Sequence, residues 1–366
     1  MLSPFPRATH VLTFAQSLEG GGVERAMLRL ARGWIAAGHR VTLVLGAAAG
    51  PLFAEIPAGV DLIELDRHYV GLLGRLPALI ASVAPTIIFC PGNHYTSMAA
   101  WLKLRLGGTC PPIVAKVSNR LDRIDQHFPI AQGYRAWLRW HPAFVDHVVA
   151  MSPAMRDEAV RMMRIAPERV SVIANPPTRA PGERSPGHSP LPGARFLLGV
   201  GRLSPQKRWD RLIDAMPRVA ERDTRLLILG EGEQRPALET RVDALGLRPR
   251  VALPGYAPDP QPALAGATAL VLTSDFEGVP GVLQEALALG TPVVATESSV
   301  AIREIIRSPS QGSIVPAGDH AALVAALDHW LVPGRPRPEP VPERGTDSVG
   351  RYLDLFDRLI FARRRA

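Results

Sequence analysis

Two acids in this chain are spaced so that they can share a site, and two cations so that they can share an anion. Glu277 and Glu285 lie eight positions apart within residues 273–306, TSDFEGVPGVLQEALALGTPVVATESSVAIREII. Upstream, Arg202 and Lys207 flank the turn Gly-Arg-Leu-Ser-Pro-Gln-Lys. Two cations and free backbone N–H groups converging at a helix start suit a diphosphate. A third candidate feature, and a second anion cradle, is the glycine run Gly20-Gly21-Gly22, which lets backbone amides come close to a ligand at a helix N-terminus. A loop histidine, His94, is the fourth. Each feature has a plainer reading as well. The acids can be solvated groups on an ordinary strand–helix–strand unit, the basic turn solvated surface, the glycines a tight turn, the histidine exposed.

The elements around these residues narrow the choice. Residues 269–272 form an apolar strand, and a loop carries Glu277 to a helix over 281–290. Glu285 falls about one turn inside that helix. Gly290 suits its left-handed end, and a second apolar strand follows at 292–296. In an open α/β sheet ligands bind outside the carboxyl ends of strands, which is where both acids fall. The same grammar recurs before it: strand 196–201, the Arg202–Lys207 turn, helix 208–220, then strand 226–229. The first half repeats it with strand 9–15, the glycine run, helix 23–37 and strand 40–45. Further strands are expected at 60–65, 86–90, 112–117 and 147–151. His94 lies just past the fourth of the first-half strands, and Ser118-Asn119-Arg120 just past the fifth. The glycine run lacks the third glycine of the dinucleotide fingerprint. Residues 174–193 are rich in Pro, Gly and Ser without periodicity and mark a domain boundary. Residues 332–342, rich in Pro, read as a linker before a last helix over 348–363.

Composition bounds the class. A chain of 366 residues with 46% hydrophobic content supports two ordinary domains. The formal charge of +8 rests mostly on arginine, since Lys103, Lys116 and Lys207 are the lysines. That balance favours anionic partners such as nucleotide phosphates or acidic lipid. Without zinc-ligand spacing or an aromatic–basic repeat, nucleic acid is not expected. Two cysteines, Cys90 and Cys110, make no disulfide framework and read as reduced thiols. No apolar run spans a bilayer and no signal peptide is evident, so a cytoplasmic chain is expected. Within residues 134–140, Arg and Trp interleave, and Arg120, Arg123, Arg156, Arg161 and Arg164 belong to the same half. Trp at helical spacing reads first as core; the basic surroundings also fit a helix lying on an anionic membrane.

The phrase Glu-Gly, Pro-Gly, Val-Leu-Gln-Glu-Ala-Leu-Ala, Gly-Thr-Pro-Val-Val-Ala-Thr resembles the E-x7-E signature of the retaining glycosyltransferases of family four. The Gly201–Lys207 turn is similar to that family's G-R-x-x-x-x-K. The resemblance covers nearly the whole chain and implies an α/β, GT-B fold, with two Rossmann-like domains facing across a cleft. Residues 1–175 would be the acceptor-side domain, 176–193 the linker, 194–345 the donor-side domain, and 346–366 a helix crossing back to the first. It further implies that Glu277 lies at the donor sugar, Glu285 at the ribose, and Arg202 and Lys207 on the leaving diphosphate. The backbone of Gly278, Val279, Pro280, Gly281, Val282 and Leu283 would take sugar hydroxyls and phosphate. Gly21 and Gly22, followed by Glu24 and Arg25, would floor the donor diphosphate, and His94 would lie near the reacting bond.

The implied activity is transfer of a hexose from a nucleotide-diphosphate sugar to a glycan or lipid-linked acceptor. A UDP-sugar is preferred over a GDP-sugar, by analogy with variants that carry Pro in the loop. No D-x-D triplet is present, so no metal held that way is expected, and no cofactor. The chain departs from the family pattern at Gly278-Val279-Pro280-Gly281, where Gly-Phe-Gly is common, and at 300–304. Both places border the implied sugar pocket and leave the sugar open. A UDP-sugar epimerase of the same fold and a non-catalytic sugar-nucleotide binder remain as alternatives.

Overall fold

The structure is a computed structural model that describes residues 9–19, 21–65, 69–122, 128–178 and 195–365, without the side chains of 69, 70 and 72. It divides into two compact units, Met1–Pro177 with Gly345–Ala366, and Thr178–Arg344. Gly20, Arg123 and most of the expected linker, 179–193, lie outside the described residues.

The first unit is built on seven parallel strands: β1 His10–Ala15, β2 Arg40–Leu45, β3 Val60–Glu64, β4 Ile87–Cys90, β5 Ile113–Lys116, β6 His147–Ala150 and β7 Val170–Val172. Continuous apolar runs buried on both faces, such as β1 and β4, are what a parallel sheet flanked by helices demands. The connecting helices are α1 Gly22–Ala36, α2 Tyr69–Val83, α3 Thr96–Leu106, α4 Ile130–Phe144 and α5 Pro153–Met163. The strand order is β3-β2-β1-β4-β5-β6-β7. The chain therefore winds outward from β1 to one edge, returns, and builds the other edge from β4. The switch lies between β1 and β4.

The second unit repeats this plan with six parallel strands: β8 Phe196–Val200, β9 Arg225–Leu229, β10 Val251–Gly255, β11 Ala269–Leu272, β12 Val293–Thr296 and β13 Gly312–Val315. Its order, β10-β9-β8-β11-β12-β13, places the switch between β8 and β11. The helices are α6 Trp209–Ala215, α7 Arg235–Ala244, α8 Gln261–Gly266, α9 Gly281–Ala288, α10 Ile302–Ile305 and α11 His320–Leu331. One core unites Trp209, Leu212, Leu270, Leu272, Leu283, Val294 and Trp330 around the sheet. The last helix, α12 Ser348–Arg365, belongs to the first unit. Its Tyr352 and Phe356 pack edge-on to Trp34 of α1, with ring centroids 5.8 and 5.4 Å away.

Two expectations need correction, and two strands go beyond them. The helix expected over 208–220 is only the seven-residue α6, because Arg208 is left-handed (φ 51°) and Pro217 closes the other end. Strand β7 has only three residues, and β13, Gly-Ser-Ile-Val, opens on a glycine and a serine, so neither stands out as an apolar run. Residues 332–342 are no free linker: they form a strap held on the second unit. Arg337 donates to the carbonyls of Gly290 (3.0 Å) and Ala265 (2.8 Å), and the Val341 amide to Leu287 O (3.0 Å). Gly290 has φ 69°, and a Cβ there would lie 2.8 Å from Pro338 O. Glycine therefore serves both the left-handed end after α9 and the close approach of the strap.

Candidate active site

In the second unit the two motif loops leave the carboxyl ends of the two switch strands. Residues 201–208 follow β8 and 273–280 follow β11. The first loop is held from both sides by backbone. On the β9 side, the Gly201 amide donates to Leu229 O (2.9 Å) and Leu203 to Glu231 O (2.8 Å). Gly230 comes so close that a Cβ would lie 1.9 Å from Gly201 O. On the β11 side, the Asp275 amide donates to Gln206 O (2.9 Å), and Gln206 Nε2 to Phe276 O (2.6 Å). Thr273 Oγ1 donates to the carbonyls of Lys207 (3.0 Å) and Arg208 (2.9 Å).

This lacing joins two of the sequence candidates directly. Lys207 Nζ lies 2.6 Å from Glu277 Oε1, with side chains 16% and 10% exposed. The same Oε1 accepts from Ser274 Oγ (2.7 Å), and the Glu277 amide donates to Ser298 O (2.9 Å). Beside them Asp275 accepts from Arg211 (2.6 Å) and Arg208 (3.3 Å), while Arg208 also grips Asp210 through two nitrogens (3.0 and 2.9 Å). The hydrogen bond to Asp210 raises the Arg208 pKa, aided by Asp275 and opposed by burial. Arg208 is therefore committed to the clasp between the loops. Arg202 is exposed and makes no ion pair among the described residues; its carbonyl accepts from Trp209 Nε1 (2.9 Å). The left-handed Arg208 separates the turn from a seven-residue helix, so at this loop side-chain cations, more than a helix terminus, supply positive charge.

Glu285 sits elsewhere on the same rim. It makes no hydrogen bond with Glu277; instead Thr178 Oγ1 donates to its Oε1. That oxygen lies 3.9 Å from where a Cβ on Gly281 would be, so the carboxylate leans back over the first turn of α9. Pro280 caps α9, and the amides of Gly281 and Val282 lack a backbone acceptor among the described residues. These free N–H groups face outward as any helix start's do. Leu283 differs from its neighbours: its side chain is in the core and its amide donates to Pro280 O (3.2 Å). Gly278 and Pro280 are buried and Val279 half-buried, with Gly278 O accepting from Ser299 Oγ (2.5 Å).

In the first unit the switch strands deliver the remaining candidates. Gly21 is the extended residue before α1 (φ −149°), and exposed Gly22 opens the helix. A Cβ on Gly22 would meet nothing within 4 Å, so packing does not require glycine there. The loop after β4 carries His94, exposed, its ring 3.9 Å from that of buried Tyr95. Tyr95 OH accepts from the Gln16 amide (3.1 Å), tying this loop to the one after β1. Asn93 ties it to the loop after β5, accepting from the Ser118 amide (2.8 Å) and donating to Asn119 O (3.2 Å). His94 and Ser118-Asn119-Arg120 thus belong to neighbouring, laced loops.

Two buried groups here escaped the sequence reading. Lys116 ends β5, 1% exposed, with Nζ 3.0 Å from Asn175 Oδ1; burial lowers its pKa to about 8 against the attraction of Glu24. Its rarity in an arginine-rich chain was a usable signal. Glu158, 1% exposed, accepts from the amides of Leu121 (3.3 Å) and Asp122 (3.2 Å) and so fixes the loop after β5. Nothing in its spacing on α5 marks that task.

Two family profiles match the chain. Glycosyltransferase Family 4 covers residues 20–176, and Glycosyl transferases group 1 covers 194–332. The chain is 31% identical over 359 residues to a phosphatidyl-myo-inositol mannosyltransferase of Mycobacterium leprae, covering 91% of this chain and 89% of that one. It is 31% identical over 160 residues to the lipopolysaccharide core biosynthesis glycosyltransferase LpsE of Rhizobium meliloti; this match covers 43% of the chain and less than half, 46%, of that protein. Among solved structures it resembles the lipopolysaccharide outer core galactosyltransferase WaaB (TM-score 0.62, 18% identity, 98% of both chains). It also resembles Anabaena HepE in complex with UDP and glucose (TM-score 0.69, 18% identity, 98% and 97% of the two chains). At such identities the likeness speaks for the fold alone.

Proposed function

The chain belongs to the family 4 glycosyltransferases and has their GT-B fold, and from that premise we propose that it is a retaining hexosyltransferase acting from a nucleotide-diphosphate sugar. The observation that carries this reading is the Lys207–Glu277 pair, held at the carboxyl ends of the two strands that flank the switch in the second sheet. The bond between the sugar C1 and the diphosphate breaks as an acceptor hydroxyl oxygen bonds to C1 from the same face and passes its proton to the departing diphosphate oxygen. Negative charge then grows on the leaving diphosphate. Lys207 and Arg202 stabilise it, the kind of electrostatic term that commonly dominates catalysis. Glu277 holds the donor sugar beside that charge, and Glu285 takes the ribose hydroxyls in place of Thr178. With two cations on the diphosphate, the reaction is read as independent of metal, and UDP is preferred over GDP as the carrier.

The acceptor is read as a glycan or lipid-linked glycan of a cell-surface polysaccharide or glycolipid. The relatives named above as a phosphatidyl-myo-inositol mannosyltransferase and a lipopolysaccharide core glycosyltransferase support that class. The test is acceptor-dependent release of nucleoside diphosphate. An isomerised donor sugar without release indicates the epimerase, and binding without turnover indicates the non-catalytic binder. A thermal-shift panel of UDP- and GDP-sugars identifies the donor, since ligand at a hundred times its Kd stabilises by about 2.7 kcal/mol. A UDP-sugar is expected to give the largest shift; a larger one from a GDP-sugar reverses the base preference.

The surface of α4 supports contact with a membrane surface, which we read as the cytoplasmic one. Trp137 is half-buried and stacked on Phe144 (5.2 Å), as a core residue is, but Trp140 is 69% exposed. Phe128 (77%) and Ile130 (67%) are exposed at the start of the same segment, and Arg135 and Arg139 are exposed along it. Among the described residues no helix is long and apolar enough to cross a membrane. The protein is expected to pellet with anionic vesicles and less so at high salt, because exposed charge is screened. Equal recovery with neutral and anionic vesicles would return Trp140 to a surface without lipid contact.

A further inference from the structure

The two oxygens of the Glu277 carboxylate do different things. Oε1 accepts from both Lys207 Nζ (2.6 Å) and Ser274 Oγ (2.7 Å). Oε2 has no partner among the described residues, yet it is not one of the fully buried unpartnered atoms. It remains open to solvent on a residue only 8% exposed.

Ser274 itself cannot follow a moving carboxylate. It is wholly buried two residues past β11, and its carbonyl accepts from Thr296 Oγ1 of β12 (2.6 Å). The backbone of Glu277 is fixed on the same side, its amide on Ser298 O (2.9 Å) and Ser298's own amide on Thr296 O (2.7 Å). With the main chain pinned by the loop after β12 and one oxygen pinned by a buried hydroxyl, the free oxygen has a single direction. Lys207 adds its charge to the same Oε1 and leaves Oε2 untouched.

We propose that Ser274 is the positioning residue of the donor-sugar subsite: it holds Glu277 so that Oε2 alone meets a sugar hydroxyl, and thereby sets which hydroxyl configuration is accepted. This rests on the reading of Glu277 as the donor-sugar residue. The physical reason is selectivity. A fixed acceptor rejects an epimer whose hydroxyl points elsewhere, whereas a carboxylate free to turn follows either epimer. Ser274 touches neither sugar nor diphosphate, so its effect separates from nucleotide binding.

The experiment compares wild type with Ser274→Ala using UDP-glucose, UDP-galactose and GDP-mannose as donors and UDP and GDP as product ligands. For the preferred donor, Ser274→Ala is expected to lower kcat/KM about tenfold or more, the loss of one hydrogen bond to a charged group. The preference for that donor over its competing hexose is expected to narrow by a similar factor. Nucleoside diphosphate affinity and Tm are expected to stay within about twofold and a few degrees of wild type. Ser274→Cys, which keeps a donor, though a larger and weaker one, is expected to fall between the two. An unmoved donor ratio in Ser274→Ala, or a parallel loss of diphosphate affinity, overturns the assignment while the transferase reading stands. A wild-type protein that neither binds nor turns over any sugar of the full UDP- and GDP-sugar panel overturns both together.

Discussion

Glu277→Ala is expected to lower kcat by about a hundredfold or more, as loss of one transition-state contact does. The reason lies in what the carboxylate holds as well as in what it offers. Its Oε1 is the partner of Lys207 and Ser274, so the alanine variant removes the sugar contact and releases the ammonium at the same time. Both side chains are well shielded, 16% and 10% exposed, so the broken pair is felt in stability too, at about 1–3 kcal/mol. Glu277→Gln separates the two effects. Its carbonyl oxygen still accepts from Lys207 and Ser274, so Tm is expected near wild type while kcat falls, because the negative charge beside C1 is gone. Paired kcat and Tm measurements on both variants check this. A kcat near wild type in Glu277→Ala would remove the residue from the mechanism and leave the ion pair as a structural clasp.

Much of this site could be read before any coordinates, for a physical reason. Parallel strands buried on both faces need continuous apolar runs, and β1, β4, β11 and β12 stand out as such. Once strands and helices alternate, the loops at the carboxyl ends are known, and with them the addresses of Arg202, Lys207, Glu277 and His94. Sequence could not show which of those loops meet. Lys207 and Glu277 touch because β8 and β11 are sheet neighbours, a consequence of winding order that no local spacing encodes. Composition misled at residues 332–342, where proline suggested a linker and Arg337 instead staples the strap to Gly290 and Ala265. It fell silent at Glu158 and Ser274, whose work is to hold backbone or another side chain. Such roles depend on a partner far along the chain or on a burial that residue type does not announce.

Arg202 and Lys207 are expected to act on one diphosphate, yet unequally. Lys207 has three N–H donors, and one is engaged by Glu277. The remaining two are available to phosphate oxygens on the ligand side. Arg202, exposed and without an ion pair among the described residues, has nothing to give up when an anion arrives, and nothing that holds it in place beforehand. Lys207→Ala should therefore cost more. It removes a preorganised charge and strands the Glu277 carboxylate, whereas Arg202→Ala removes a side chain that must first be ordered. Losses in kcat of about thirtyfold to a hundredfold for Lys207→Ala and about tenfold for Arg202→Ala are expected, within the range for hydrogen bonds to charged groups. The loss should fall on kcat because charge on the leaving diphosphate grows toward the transition state. Affinity for UDP or GDP as product should weaken in both. The double variant should be less impaired than the product of the singles, since groups that bind one ligand are coupled. A double-mutant cycle on kcat and on diphosphate affinity reads the coupling directly. Two strictly independent effects would put the cations on different parts of the ligand. Wild-type behaviour in both singles would reduce the turn after β8 to solvated surface, and the donor site would then rest on Glu277 and Glu285 alone.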